Sequence, residues 1–226
     1  NKTKVIVAMS GGVDSSVAAV KLKLEGYDVT GVTLRLYNQP NSSKSKSCCA
    51  GIDINDAKKV AEQYDFPHKV FDYQDKFFNG VISNFVDSYA DGKTPVPCIQ
   101  CNQTVKFSDL LEESKNLNAD ALITGHYAIR KGGLKESKLF KAKDKTKDQS
   151  YFLFATLQDQ LDYVRFPLGN YLKSEIREMA DDYNLVVSDK PDSQDICFVT
   201  SDSYRDLINK IQPDINKEGN IFDING

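Results

Sequence analysis

The sequence lacks the hallmarks of membrane and secreted proteins. It contains no run of about 18 apolar residues, the length that a bilayer-spanning helix needs. Its first residues lead almost at once into a short strand-like run, without the basic segment and apolar stretch of a signal peptide. We therefore expect neither a membrane partner nor a secreted protein.

Histidine is scarce, and cysteine occurs in an odd number. With only His68 and His126 available, the Cys98-x-x-Cys101 pair has no second pair of ligands at the spacing that structural zinc sites use. Five cysteines with no sign of secretion indicate reduced thiols in a cytoplasmic protein. Cys48 and Cys49 lie in a polar segment and are expected to be bystanders, with a labile disulfide or a role in an RNA-contacting loop as the alternatives.

Net positive charge is also missing. The 29 basic and 32 acidic residues give a formal charge of −3, which argues against a dominant nucleic-acid surface because phosphate binding needs clustered Lys and Arg. Lysines are nevertheless concentrated at 44–47 and 138–147. The second cluster, with Lys141, Lys143 and Lys145, is a candidate for holding backbone phosphates, whereas its simpler interpretation is a solvated hairpin.

Strand-like and helix-like patterns alternate over the first ~130 residues. Strands are predicted at 4–9, 28–37, 68–73 and 119–126, and helices at 16–27, 53–64, 75–92 and 104–117. Residues 93–103 are predicted to form a loop stiffened by Pro95 and Pro97. This alternation predicts an α/β fold with a doubly wound parallel sheet. In such sheets ligands gather beyond the carboxyl ends of the strands.

The second half of the chain has a different pattern. A hairpin is predicted at 127–143, and residues 150–212 are mainly helical with one strand-like run, ICFV, at 196–199. We predict a catalytic domain at 1–204 with a helical extension from about 155. Residues 205–226 are predicted to be the start of a β-rich domain, because GNIFDING at 219–226 resembles an opening strand and turn.

The loop after the first strand has the composition of an anion site. SGGVDS at 10–15 leads straight into a helix, whose first N–H groups have no partner within the helix. Gly11 and Gly12 permit backbone conformations that turn N–H groups toward one point, and serine hydroxyls add donors. An aspartate beside phosphate suggests a bridging cation, so Asp14 is assigned to Mg²⁺. The loop lacks the lysine of GxxxxGK[ST], and no GxGxxG fingerprint is present.

The cysteines have competing interpretations on spacing alone. Cys98 and Cys101 precede a predicted helix, where thiolates are stabilised, so a redox pair is plausible. Cys197 follows DSQD (192–195) inside a strand-like run, and an inert buried cysteine is its simpler interpretation.

The motifs together resemble a known enzyme family. SGGVDS is similar to the loop of ATP pyrophosphatases, which adenylate a carbonyl oxygen and release pyrophosphate. Six ordered motifs resemble those of the tRNA-specific 2-thiouridylases, which thiolate the wobble uridine: SGGVDSS, GKTPVPCIQCNQTVKF, TGHYA, KDQSYFL, FPLG and DSQDICF. The resemblance covers nearly the whole chain and implies a Rossmann-like fold of the adenine nucleotide alpha hydrolase type.

The resemblance implies roles for particular residues. It implies that ATP is bound by Ala8, Met9, Ser10, Gly11, Gly12, Val13, Asp14, Ser15, Leu34 and Gly125. It implies that Cys101 is catalytic and that Cys197 carries a persulfide. It implies tRNA contacts at Val96, Pro97, Cys98, Lys147, Asp148 and Gln149. The implied partners are tRNA, through its anticodon loop, and a sulfur donor such as a cysteine desulfurase or a sulfur-relay protein.

The chain departs from the family at one position. Many relatives carry Asn-Pro-Asp where this chain has Val96-Pro97-Cys98, and a neutral thiol cannot simply replace an acid–base carboxylate. With Cys101 and Cys197, Cys98 makes three candidate ligands for an iron–sulfur cluster. The predicted reaction is adenylation of the uracil 2-oxygen followed by persulfide transfer. A small-molecule synthetase using ammonia and a noncatalytic RNA- or metal-binding module are the alternatives.

Overall fold

A computed structural model describes residues 2–37, 51–192, 196–199, 203–213 and 222–223. Within these ranges the strands are β1 (Lys4–Ala8), β2 (Asp28–Arg35), β3 (His68–Asp72), β4 (Ala121–Ile123), β5 (Ile129–Lys131), β6 (Lys138–Phe140) and β7 (Val164–Arg165). The α-helices are α1 (Val13–Leu24), α2 (Gly51–Gln63), α3 (Gln74–Phe77), α4 (Ser83–Ala90), α5 (Pro97–Cys101), α6 (Leu110–Asn116), α7 (Gln158–Tyr163), α8 (Lys173–Asp182) and α9 (Tyr204–Ile211). π-Helical turns join α3 to α4 and α5 to α6, and a 3₁₀ turn spans Ser150–Leu153.

Five parallel strands form the central sheet in the order β3-β2-β1-β4-β7. β1 therefore lies in the middle, and the chain leaves β1, β2 and β4 at one edge of the sheet. This confirms the predicted α/β class and the parallel sheet. The predicted hairpin is confirmed as the antiparallel pair β5–β6.

Alternate residues of the strands face opposite helical layers. Ile6, Val32 and Leu122 pack into one apolar cluster, which α3–α6 cover. Their neighbours along the strands, such as Val5 and Val7, pack into a second cluster against α1, α2 and α8. The sheet is thus buried on both faces, as expected for a doubly wound fold.

Several predicted elements differ from the structure. ICFV at 196–199 is a turn and not a strand, and in it the N–H of Val199 bonds the C=O of Ile196. The fifth strand of the central sheet is β7, Val164–Arg165. Residues 97–101 are helical rather than part of a loop, because Pro97 occupies the first helical turn, where its missing N–H has no cost. α2 spans Gly51–Gln63, so Asp53 lies inside its first turn rather than at the predicted start of the helix.

The predicted domain boundary at 204 stays a prediction. Ile208 of α9 is buried in the cluster that covers one face of the sheet. Residues 214–221 and 224–226, which include most of the predicted opening strand, lie outside the described residues, as do Cys48 and Cys49. No helix within the described ranges combines the length and the apolar character needed to cross a bilayer.

Candidate nucleotide and thiol site

The loop between β1 and α1 has a backbone shape that requires glycine. Gly11 has φ +73°, in the left-handed region, and a Cβ atom there would lie 2.2 Å from the carbonyl oxygen of Asp53. Ser16 makes the first helical bond, from its N–H to the carbonyl of Gly12. The N–H groups of Val13, Asp14 and Ser15 precede that bond, so they are the groups a bound anion would use.

Other residues of the predicted nucleotide set lie at this loop or on the neighbouring strand β2. Gly125, which follows β4, lies so close that a Cβ atom there would be 2.9 Å from the Ser15 nitrogen. Ser10 and Ser15 face each other, with 3.3 Å between their hydroxyl oxygens. Met9 N–H bonds the carbonyl of Val32, which keeps the loop aligned with β2. Leu34 on β2 is almost fully buried in the apolar cluster.

Asp14 points away from the loop toward two partners. Its carboxylate accepts from Lys173 Nζ at 2.6 and 2.8 Å and from the hydroxyl of Tyr127 at 2.7 Å. Burial, together with the negative charge of Asp14, raises the pKa of Tyr127 well above its usual value. Tyr127 therefore remains a neutral hydroxyl donor at any physiological pH.

A second carboxylate extends this network. Asp192 accepts from Lys173, Arg177 and Lys147, at 2.9, 2.8 and 2.9 Å. Burial alone would raise the pKa of Asp192, but hydrogen bonds from Lys147 and Lys173 and their positive charges lower it to about 2. The chain just before the Cys197 segment is thus joined through Lys173 to the first turn of α1.

Lys190 makes a separate connection to the loop. Its Nζ donates to the carbonyl of Gly11 at 2.9 Å, to Asp53 at 2.5 Å and to Asp56 at 2.8 Å. Burial alone would lower the pKa of Lys190, but these hydrogen bonds and carboxylate charges raise it. Asp53 is only 6% exposed, and Lys190 helps to compensate its buried charge.

Two of the cysteines contact the same apolar cluster. Cys101, the last residue of α5, is buried in it, and Cys197 packs against it from the turn at 196–199. Phe198 fixes that turn by edge-on contacts with Phe77 and Phe85. The hydroxyl of Tyr37, two residues beyond β2, donates to the carbonyl of Cys197 at 2.5 Å. Residue 197 therefore lies at the edge of the sheet where β2 ends.

The predicted iron–sulfur ligand set is not assembled. Among the described residues, which include Cys98, Cys101 and Cys197, no three His, Cys, Asp or Glu side chains come together as a metal site. Cys98 is exposed on the first turn of α5, whereas Cys101 is buried on its last turn. These residues do not fit a cluster held by the three thiolates.

The segments predicted to contact tRNA differ in exposure. Val96 is 48% exposed and Pro97 is buried, and both line a pocket of about 290 Å³ with residues of α4. Asp148 accepts from Ala142 N–H and the Ser150 hydroxyl, and Gln149 exchanges hydrogen bonds with the backbone of Tyr127. These side chains hold the 147–153 segment against the loop that follows β4.

Several residues of this site escaped the sequence analysis. Lys173 and Lys190 have no local signal in the sequence, because they contact residues more than 100 positions away along the chain. Tyr127 and Asp192 lie in the TGHYA and DSQDICF motifs, but these motifs gave them no predicted role. His126 has no predicted role beyond being one of two histidines, which do not complete a zinc site with Cys98 and Cys101. Burial beside Phe107 and Phe166, with the charge of Lys106 nearby, lowers its pKa to about 3, so it is neutral at physiological pH.

A family model described as the tRNA methyl transferase HUP domain matches residues 3–201 of this chain. The chain belongs to this family. Its motif resemblance is confirmed by curated relatives named tRNA-specific 2-thiouridylase MnmA. The relative from Dinoroseobacter shibae is 54% identical over the whole chain, which covers 59% of that protein, and the one from Wolbachia pipientis is 54% identical with 61% covered. The chain thus spans about three fifths of these relatives.

Two solved structures share the fold of this HUP-domain family member. A 4-thiouridine synthetase, determined with RNA and bound ATP, has a TM-score of 0.59 and 17% identity over 94% of this chain and 51% of its own. An NMN synthetase from Francisella tularensis has a TM-score of 0.51 and 18% identity over 94% of this chain and 77% of its own. At these identities the likeness supports the predicted nucleotide-hydrolase type of fold and nothing finer.

Replacing Lys190 tests whether it maintains the glycine loop. Lys190→Met removes one cation from Asp53 and Asp56, and we expect a loss of about 2–3 kcal/mol of unfolding free energy, below the range for a fully buried pair because Lys190 is partly exposed. Urea denaturation measures this loss. Lys59→Met is the matched control, because Lys59 lies 3.9 Å from Asp56 on the exposed side of α2. Equal losses in both variants would contradict the assignment.

The low pKa of Asp192 predicts a specific acid dependence. Because the folded-state pKa is below the ordinary value, the stabilisation is complete above about pH 4 and is lost as the pH falls toward 2. Asp192→Asn should therefore lower the urea midpoint at neutral pH and make its decline between pH 4 and 2 shallower than in the parent chain. If the urea midpoint of Asp192→Asn declined between pH 4 and 2 as steeply as that of the parent chain, the ion pairs of Asp192 would not contribute to stability.

Proposed function

We propose that the protein of which this chain is part thiolates the 2-position of the wobble uridine in tRNA, using ATP. The observation that carries this proposal is that the glycine loop and the segment holding Cys197 reach the same edge of the sheet. Tyr37 ties that segment to the end of β2, next to the strand that leads into the loop. The names of the curated relatives support the choice of thiolation.

In the first step, ATP is held with its phosphates at Ser10–Ser15. The unbonded N–H groups of α1 and the positive end of its dipole suit the phosphate oxygens. Lys173 and Lys190 lie on either side of the loop and supply positive charge there. The uracil 2-oxygen attacks the α-phosphorus, the bond to the β-phosphate breaks, and pyrophosphate leaves.

Mg²⁺ fits this site as a companion of the nucleotide. Bound Mg²⁺ commonly uses substrate phosphates and only one or two carboxylates, so a protein cage of three ligands is not needed. Asp14 is the carboxylate at the start of α1 that would take this role, in exchange for its contacts with Lys173 and Tyr127. When bound, the ion neutralises charge on the departing phosphates.

In the second step, sulfur replaces the activated oxygen. The terminal sulfur of a persulfide on Cys197 attacks the ring carbon, and AMP leaves with the former 2-oxygen. Cys101 thiolate then attacks the inner sulfur of Cys197, which forms a disulfide and leaves the outer sulfur on the base. Alternatively, Cys101 itself carries the attacking sulfur. A thiol reductant and a separate persulfide donor restore the starting state.

Separating the two steps tests the proposal. Cys197→Ser should still release pyrophosphate in the presence of tRNA but form no 2-thiouridine, because adenylation needs the loop and transfer needs the thiol. Pyrophosphate release and the retardation of thiolated tRNA in a mercury-containing gel are the two readouts. Cys48→Ser is the matched control at a cysteine expected to be a bystander and should retain thiolation.

Other outcomes would select another function. Pyrophosphate release that needs a small amine-accepting substrate and no tRNA would indicate an ammonia-using synthetase. No ATP cleavage under any condition, with RNA still bound, would indicate a noncatalytic module. Full thiolation by Cys197→Ser would contradict the proposed carrier.

A further inference from the structure

The outer face of the β5–β6 hairpin is more basic than the rest of the chain. Residues 130–147 hold eight Lys or Arg against two Asp or Glu, whereas the whole chain has a net charge of −3. Two of these lysines form ion pairs within the protein, Lys143 with Glu175 and Lys147 with Asp192. Of the other lysines, Lys131, Lys135 and Lys138 lie on the hairpin, and Lys141 and Lys145 follow it.

Strand register determines which side chains share a face. Lys131 lies opposite Lys138, and Ile129 lies opposite Phe140, so these four side chains are on one face of the hairpin. Arg130 and Leu139 are on the other face. Lys131 and Lys138 are exposed, and Phe140 is 42% exposed with Lys131 Nζ 5.2 Å from its ring centroid. Lys135, in the connecting loop, is also exposed.

The opposite face fixes the hairpin to the domain. Arg130 donates to the carbonyls of Leu161 and Asp162 on α7, and Leu139 packs against the buried cluster. The Asp162 carboxylate accepts from Ser137 N–H at 2.8 Å, and the hydrogen bonds from Ser137 lower its pKa. The outer face is consequently presented by a firmly held element rather than by a loose loop.

The cross-strand lysine pair is unfavourable without a partner. Like charges directly opposite each other in an antiparallel pair destabilise it. Among the described residues, Lys131, Lys135 and Lys138 form no salt bridge. The repulsion disappears once an external polyanion lies across the two ammonium groups.

We propose that Lys131, Lys135, Lys138 and Phe140 form a binding face for RNA with unstacked bases. Lysines that meet successive phosphates and an exposed aromatic ring that stacks on a base are the two elements of single-strand recognition. Binding to an anionic membrane would need a broader apolar surface than the single ring of Phe140. The inference deepens the proposed function, since it names a surface for that function's RNA apart from the glycine loop and the cysteines.

Lys131→Glu separates a binding role from a structural one. It places a carboxylate opposite Lys138, so the melting temperature should stay equal to or rise above that of the parent chain. RNA affinity should nevertheless fall about tenfold at 50 mM NaCl. The probe is a fluorescein-labelled anticodon stem-loop, followed by anisotropy without ATP from 50 to 200 mM NaCl. The slope of log K against log salt should become shallower by about 0.7.

Two further variants make the result specific. Lys58→Glu on α2 changes the charge equally at an exposed lysine and should leave the salt slope unchanged. Phe140→Leu should weaken binding about fivefold with no change in slope, because stacking releases no counterions. Equal weakening by Lys58→Glu and Lys131→Glu, or an unchanged slope, would overturn the proposal.

The outcomes also separate this inference from the proposed function. An effect of Lys131→Glu on binding to phosphatidylserine vesicles but not to RNA would overturn the RNA face in favour of a membrane. If Lys131→Glu left both thiolation and the salt dependence of RNA binding unchanged, the RNA-binding face would be refuted and the proposed function would stand. If Lys131→Glu changed the salt dependence of RNA binding but the parent chain released no pyrophosphate, the RNA-binding face would be supported and the thiolation function refuted.

Discussion

The ion-pair chain from Asp14 through Lys173 to Asp192 is the interaction on which the candidate site depends. It joins the first turn of α1 to the first residue of α8 and to the chain that leads toward Cys197. Lys190 repeats the connection by holding the Gly11 carbonyl. The glycine loop and Asp192 are therefore parts of one electrostatic unit, although they lie far apart along the chain.

The phosphates of a bound nucleotide would compete with protein carboxylates for the same lysines. Lys173 and Lys190 are neutralised by carboxylates in the structure, so bound phosphates offer them alternative partners close to their present ones. An exchange of partners at Lys173 would alter the contacts of Asp192 directly. In the proposed reaction, this is a physical route by which the filling of the nucleotide loop reaches the segment that carries Cys197.

Much of the fold was readable from local patterns, and the site only in part. Buried β-strands alternating with helices predicted the parallel sheet, and the two glycines before Val13 predicted a tight loop, in which Gly11 adopts a left-handed conformation. Val164–Arg165 was missed because two residues carry no periodicity, and its strand character comes only from pairing with β4. The turn at 196–199 was mistaken for a strand because its apolar residues are buried by tertiary contacts with Phe77 and Phe85. Lys190 could not be predicted, since nothing local distinguishes it from a surface lysine.

In the proposed reaction, one site uses ATP to make the uracil 2-oxygen a leaving group and then replaces it with sulfur. The most direct test uses tRNA whose wobble uridine carries ¹⁸O at the 2-position, in a single-turnover reaction analysed by mass spectrometry. The account predicts one ¹⁸O atom in AMP for each 2-thiouridine formed. Label recovered in inorganic phosphate, or thiolation with unlabelled AMP, would contradict it.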